Sequence, residues 1–418
     1  MALTGERRKG LYLGAAVLAL FILFSLRTST SETSSNSSSS SPISYSTQLS
    51  LSNATRDACH KVMEHQKNEL FSIFSSQFKG VRNIALISMP DHHNKGDSVI
   101  FTAEMMLLAS LGINIHYQCG VRDFEMSALQ ETVDKWGEDH FAIVFHGGGN
   151  FGDLYEGEHG LKLHVMRNFP SVRTHIFPQS LKFRHEDKIA ETRSVLASLT
   201  HPLNSIAVRD IQSRDFAQKH FNLPNFRIDL TPDIVFYMGF RPELREQLAP
   251  TTPNDFLFFR RKDVEGSNWD FAGFAGSADF PKPFVQRIAE KVGVKSLSVE
   301  TGDWIDTDLD EEERTGGHIQ FRAWRRFMQG AEWLSSADFI VLDRLHGHIV
   351  SLVLGIPHVL IDNSIGKLSD YHSTWTKDCP LGTLVSSEGG DEEQAAAVEG
   401  VYKKWVDEGK INGRNFVW

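Results

Sequence analysis

Between Phe339 and Lys367 the chain passes through an apolar run, FIVLD, and then Arg344-Leu345-His346-Gly347-His348. A helical stretch, a second apolar run (HVLID) and Asn363-Ser364-Ile365-Gly366-Lys367 follow. Arg344 and His346 fall where a strand gives way to the first turn of a helix. That helix start adds partial positive charge, so with Lys367 on the next loop the corner suits a doubly charged anion. A plain Asp343–Arg344 bridge beside a surface histidine is the simpler arrangement. Ile206–Asp210 (IAVRD) sets Arg209 at another strand end, either paired with Asp210 or forked onto a carboxylate or phosphate.

Two further strings sit at strand ends. In PDHHNKGDSVI, Asn94 and Asp97 mark the turn into a helix; Asp97 either caps that helix or, with Asn94, faces a ligand. HGGGNFGDLYEGEH follows the run Phe141–Phe145, and its three glycines leave the backbone bare for close approach of an anion or sugar oxygen. A tight turn would use the same glycines. Asn150, Asp153 and His159 follow them. The spacing is neither GxGxxG nor a P-loop. Asp306-Thr307-Asp308 has the DxD form of a cation and nucleotide-sugar ligand but lies in an acidic run typical of a solvated loop. His92-His93 lacks a third ligand at metal spacing, so no metal site is expected.

These strings need elements to hold them. Short apolar runs at Ile84–Met89, Asn114–Gln118, Phe141–Phe145, Arg173–Phe177, Ser205–Val208 and Phe226–Leu230 alternate with helical stretches. After a Pro-rich break, the pattern resumes with runs at Phe256–Arg260, Lys295–Val299, Phe339–Leu342 and His358–Ile361. Strand-helix alternation predicts parallel α/β sheets. The expected architecture is two Rossmann-like domains flanking a cleft, residues 56–240 on the acceptor side and 255–418 on the donor side, joined by a linker at 241–254. Ahead of them, the uncharged segment 10–26 follows Arg7, Arg8 and Lys9 and predicts a signal-anchor, with residues 1–9 cytoplasmic and the remainder lumenal. Residues 27–55 read as a Ser/Thr-rich disordered stem with glycosylation sequons at Asn36 and Asn53. The chain of 418 residues has three cysteines, too few for a disulfide scaffold, and their pairing stays open. Its net charge of −10 argues against a nucleic-acid partner, so any anion must be held by a local cluster of cations.

The strings NKGDSVI (Asn94–Ile100), GGGNFGDLY (Gly147–Tyr155), FPQS (Phe177–Ser180), VRD (Val208–Asp210), RLHGHI (Arg344–Ile349) and LGIPHVLIDNSIGKL (Leu354–Leu368) occur in one order. In that order the sequence resembles the polysaccharide pyruvyl transferase family, and within it the Golgi-type galactoside pyruvyltransferases. The resemblance implies a GT-B-like fold, phosphoenolpyruvate as donor and a pyruvate ketal on a sugar such as terminal β-galactose as product. It implies a type II Golgi membrane protein whose only reactants are phosphoenolpyruvate and a glycan, with no cofactor. Arg209, Arg344, Leu345 and His346 match donor-binding positions, with Lys367 added; Asn94, Asn150, Asp153 and His159 fall to the acceptor. His346 is the expected acid, and Asp97 or Asp153 the expected base. A nucleotide-sugar glycosyltransferase and a non-catalytic glycan-binding protein are the competing readings.

Overall fold

Runs such as Phe141–Phe145 and Ala337–Leu342 bury every residue, the mark of parallel strands covered on both faces. The computed structural model, which describes residues 51–89, 92, 94–137, 140–261, 281–305, 318–362, 366–385 and 391–408, contains two such sheets. The first holds β1 (Asn83–Ile87), β2 (Asn114–Cys119), β3 (Phe141–Phe145), β4 (Gly148–Phe151), β5 (Thr174–Leu181), β6 (Asn204–Val208) and β7 (Phe226–Leu230). Its order is β2-β1-β3-β5-β6-β7, with β4 beside β5. The second holds β8 (Asn254–Phe259), β9 (Val299–Gly302), β10 (Ala337–Leu342), β11 (His358–Ile361) and β12 (Gly382–Val385), ordered β12-β11-β10-β8-β9. All strand pairings are parallel.

Counted from its own first strand, each sheet begins 2-1-3, the doubly wound order of flavodoxin-like rather than Rossmann sheets. The chain reverses its direction of travel between β1 and β3 in one sheet and between β8 and β10 in the other. Crevices for ligands open at the carboxyl ends of strands at such switch points. No repeat in the sequence announces the shared order.

The helices are α1 (Asn53–Gln77), α2 (Lys95–Ser110), α3 (Met126–Trp136), α4 (Glu156–Asn168), α5 (Glu186–Ser198) and α6 (Ile211–Phe221), then α7 (Pro242–Leu248), α8 (Lys282–Val292), α9 (Ile319–Ser335), α10 (Leu345–Leu354), α11 (Lys367–Tyr371) and α12 (Asp391–Asp407). Alternate residues of the first sheet serve two cores. Ala85, Ile87, Ile143 and Phe145 pack with Leu129, Val165, Leu196 and Ala217 of α3–α6. Ile84, Leu86, Ala142 and Val144 share a core with Met63 and Phe101, and that core continues into Phe258, Leu334 and Val341 of the second unit. One apolar cluster therefore runs through both units, carried by α2 packed on α9.

Cys59 of α1 and Cys379 form a buried disulfide, and Cys119 is free and buried. Near it, Gln66 Nε2 donates to Trp375 O at 3.0 Å. The bond ties α1 to the segment after α11.

Several expectations change. The stem boundary at residue 55 falls inside α1, because Ser52 accepts a capping bond from Thr55 N at 3.2 Å and starts the helix at Asn53. The linker 241–254 carries α7, whose Arg245 donates to Ala337 O at 2.9 Å and so docks on the second sheet. The strand expected at Lys295–Val299 forms at Val299–Gly302 instead. Asp255 explains the shift, since its carboxylate accepts from Ser298 N and Oγ at 2.7 and 2.8 Å and holds the preceding residues outside the ladder. The anchor 10–26, the sequon at Asn36, His93 and the Asp306/Asp308 pair lie outside the described residues. Asn53 is exposed at the start of α1. Among the described residues no helix is long and apolar enough to cross a membrane.

Candidate active site

The carboxyl ends of both sheets border one cleft of about 260 Å³. From the first unit it receives Asn94 and Asp97 after β1, Gly149 and Asn150 of β4, Tyr155 and Glu158 around the start of α4, and Arg209 after β6. From the second it receives Arg261 after β8, Trp304 after β9, and Arg344, Leu345 and His346 after β10. Both switch points thus contribute.

Arg209, Arg344 and His346 do meet, but they arrive with buried carboxylates. Arg209 Nη1 donates to Asp233 Oδ2 at 2.7 Å, and its Nε donates to Ser180 Oγ at 3.0 Å. The same Nη1 lies 3.2 Å from His346 Nε2, which stands 3.5 Å from Asp233 Oδ2. His346 Nε2 therefore faces both members of the Arg209–Asp233 pair. Arg344 Nη2 donates to Asp303 Oδ2 at 2.5 Å. Burial alone would raise the Asp233 carboxyl, but Arg209 and His346 outweigh it and hold the group well below the usual carboxylate range.

The simple ion pairs weighed from the sequence do not form. Asp210 caps α6 by accepting from Ser213 N at 2.7 Å, and Asp343 accepts from Arg261 N at 2.7 Å. The cations expected to cluster there are accompanied by carboxylates. Each buried guanidinium needs a counter-charge, because an uncompensated ion in the interior costs several kcal/mol. What these side chains offer an anion is aimed hydrogen-bond donors. α10 adds to them: no side chain caps it, so the amides of Leu345 and His346 stay open at its start.

The opposing wall is ordered around α2. Asn94, not Asp97, caps that helix, its Oδ1 accepting from Gly96 N at 3.1 Å while its Nδ2 donates to Asp97 Oδ2 at 2.7 Å. Burial would raise the Asp97 carboxyl, but the charges of His92, His346, His146 and Arg209 hold it below its usual range. Asp97 is therefore an ionised anchor and a weak base. Behind the glycines, Glu104 accepts from Gly147 N and engages His146 Nδ1, each at 2.8 Å. Lys162, fully buried, donates to Asn150 Oδ1 at 3.0 Å and so orients that amide. Burial pushes the Lys162 ammonium down to about 7, against the pull of Glu158, Glu104 and Asp97. The GGGN string is itself part of a strand, β4, with Gly148 at φ 118. Among the described residues no three metal-ligating side chains gather.

Two expected site residues stand elsewhere. Asp153 accepts from the amides of Arg184 and His185, each at 2.8 Å, and fixes the loop after β5 rather than facing the cleft. His159 is buried among Phe151 and Phe183, with its Nε2 3.0 Å from Thr192 Oγ1. Consecutive helical residues diverge by about 100°, so Glu158 reaches the cleft where His159 turns inward. Lys367 opens α11, and its side chain lies outside the described residues. Sequence reasoning missed Asp233, Asp303, Arg261 and Trp304, whose only signal was their position after strand-like runs, and Glu158, the neighbour of His159 in the string after the glycines.

Burial drives the His159 imidazole down to about 4, and it does the same to His358, which hydrogen-bonds His348 at 2.7 Å. A histidine with a folded pKa below its unfolded 6.5 stabilises fully above 6.5 and loses that contribution as pH falls toward the folded value. His159 alone accounts for about 3 kcal/mol across this window. The melting temperature is expected to fall steeply between pH 6.5 and 4; a flat profile by calorimetry would show that these rings are hydrated.

Arginines and open helix amides at one switch point thus share a cleft with hydrogen-bonding side chains at the other, between two parallel α/β sheets. The sequence profile of the polysaccharide pyruvyl transferase family matches residues 72–365, and the chain belongs to that family. It is 37% identical over 326 residues to Pyruvyl transferase 1 of Schizosaccharomyces pombe, covering 78% of this chain and 77% of that one. It is 25% identical over 311 residues to the putative pyruvyl transferase EpsO of Bacillus subtilis, covering 71% and 86%. A solved structure of an uncharacterized Klebsiella pneumoniae protein aligns with a TM-score of 0.47 at 16% identity, covering 77% of this chain and 99% of that one, a likeness too distant to argue from.

Proposed function

We propose that the chain moves the pyruvyl group of phosphoenolpyruvate onto two hydroxyls of a glycan, with terminal β-galactose as acceptor, forming a ketal and releasing phosphate. The meeting of Arg209, Arg344 and His346 from two sheets in one cleft carries this reading. A three-carbon enol phosphate bears a carboxylate and a phosphate, and each suits a planar guanidinium fork. The open amides of Leu345 and His346 meet the departing phosphate at the start of α10. Asn94 and Asn150 orient the sugar from the other wall. In this reading His346 delivers the proton that C3 requires, and the reaction needs no cofactor or metal.

The two facing parallel sheets fit a GT-B-like arrangement. A buried disulfide and an exposed Asn53 sequon support an oxidising lumen, and the apolar segment 10–26 supports a type II Golgi anchor. The test is full-length protein in detergent with phosphoenolpyruvate and an aryl β-galactoside. Phosphate release with acid-labile pyruvate on the sugar, undiminished by a chelator, is expected. Turnover of a nucleotide sugar instead, or no phosphate release from folded protein, overturns the reading.

A further inference from the structure

Ketal formation needs a group to take the proton of the attacking hydroxyl. Among the described residues, the carboxylates of Asp97, Glu104, Asp153, Asp233 and Asp303, in or near the cleft, are each held by other groups. Asp233 accepts from Arg209 at 2.7 Å and Asp303 from Arg344 at 2.5 Å. Glu104 is fully buried between Gly147 N and His146. Asp97 accepts from Asn94 at 2.7 Å and faces His92 at 3.5 Å. Asp153 gives its oxygens to the Arg184 and His185 amides and does not line the cleft.

Glu158 differs from all of these. It lines the cleft from the first turn of α4, half-buried, and among the described residues it makes no hydrogen bond or ion pair. One turn on, Lys162 attracts it electrostatically but has its ammonium on Asn150 Oδ1, leaving the Glu158 oxygens open. Glu158 and Asn150 line the cleft from the first unit, and Arg344 and His346 from the second.

We propose that Glu158 is the catalytic base that accepts the proton of the sugar hydroxyl, a role that rests on the pyruvyl-transfer reading. C3 of the enol phosphate gains a proton and C2 becomes electrophilic. The hydroxyl oxygen bonds C2 as its O–H pair is left on that oxygen and the proton passes to Glu158. The C2–O bond to phosphate then breaks with its electron pair leaving on phosphate, and the second hydroxyl closes the ring. Of the two hydroxyl protons, one balances the proton gained at C3 and the other leaves with phosphate.

Glu158→Gln keeps the shape and removes the basicity. Wild type and variant, both full length, are assayed for phosphate release from phosphoenolpyruvate with aryl glycosides of galactose, glucose, mannose and N-acetylmannosamine. Binding of phosphoenolpyruvate alone is followed by calorimetry. The variant is expected to lose about 10³-fold in kcat on whichever sugar the wild type uses, with donor affinity unchanged within about twofold. Turnover within about threefold of wild type overturns the role of Glu158 and leaves the transfer reading standing. Loss of donor binding in the variant overturns it too, by making Glu158 a donor-site or folding residue. A wild type that turns over none of the four sugars overturns the transfer reading, and the base with it.

Discussion

Arg209→Met is expected to abolish turnover and, at the same time, to destabilise the chain by about 3–5 kcal/mol. Both effects come from one guanidinium. Its Nη1 neutralises the buried Asp233 at 2.7 Å, and it reaches the cleft beside His346. Without it Asp233, which is 1% exposed, keeps a charge with only His346 to answer it. Two variants separate the effects. Arg209→Met/Asp233→Asn removes the stranded charge and is expected to recover most of the lost stability while remaining at least about 10³-fold slower. The contribution of the wild-type pair is full above pH 3.8, the ordinary value for the carboxyl, and fades only as pH falls below it toward the depressed folded value. Urea melts and initial rates on the three proteins check this. A double variant as unstable as the single one would show that Asp233 is not the source of the loss, and an active single variant would remove Arg209 from donor binding.

How far the site could be read beforehand follows from which signals are local. FAIVF and ADFIVL are unbroken apolar runs, and they became buried parallel strands where expected. The glycine string carried no such signal, so its strand β4 was legible only as a loop. Arg344, His346 and Arg209 were legible because a cation at a strand end before a helix has a local signature. Their partners were not. Asp233 lies 24 residues from Arg209 and Asp303 lies 41 from Arg344, and only the strand order brings each carboxylate to its arginine. The same limit misassigned the region after the glycines. Asp153, Glu158 and His159 share one string, but only helix phase sends Glu158 to the cleft and His159 into the aromatic core. The disulfide between Cys59 and Cys379 spans 320 residues, a pairing no spacing argument reaches.

Gly96→Ala is expected to cost about 10²-fold in turnover while the chain stays folded, the gain in helix propensity offsetting part of the cost of moving His346. Gly96 lies in the first turn of α2, where alanine is the better helix former by up to about 1 kcal/mol. A Cβ there, however, would sit 2.7 Å from His346 Nδ1 and 3.0 Å from its Cγ. The imidazole is a rigid ring close to its own backbone, so it cannot fold away as a lysine tip would. It must swing, and its 3.2 Å contact with Arg209 breaks. A displacement of about 1 Å in a catalytic group is worth about that 10²-fold loss. Gly400→Ala is the control, since Gly400 is also helical, in α12, and has nothing within 4 Å of an added Cβ. Both variants gain helix propensity, so only the approach of α2 to α10 distinguishes them. Equal activity in the two would mean that His346 works from a position other than the one beside Gly96. A Gly96 variant that still melts cooperatively but loses turnover, beside a fully active control, ties the chemistry to the close contact between the two sheets' switch points.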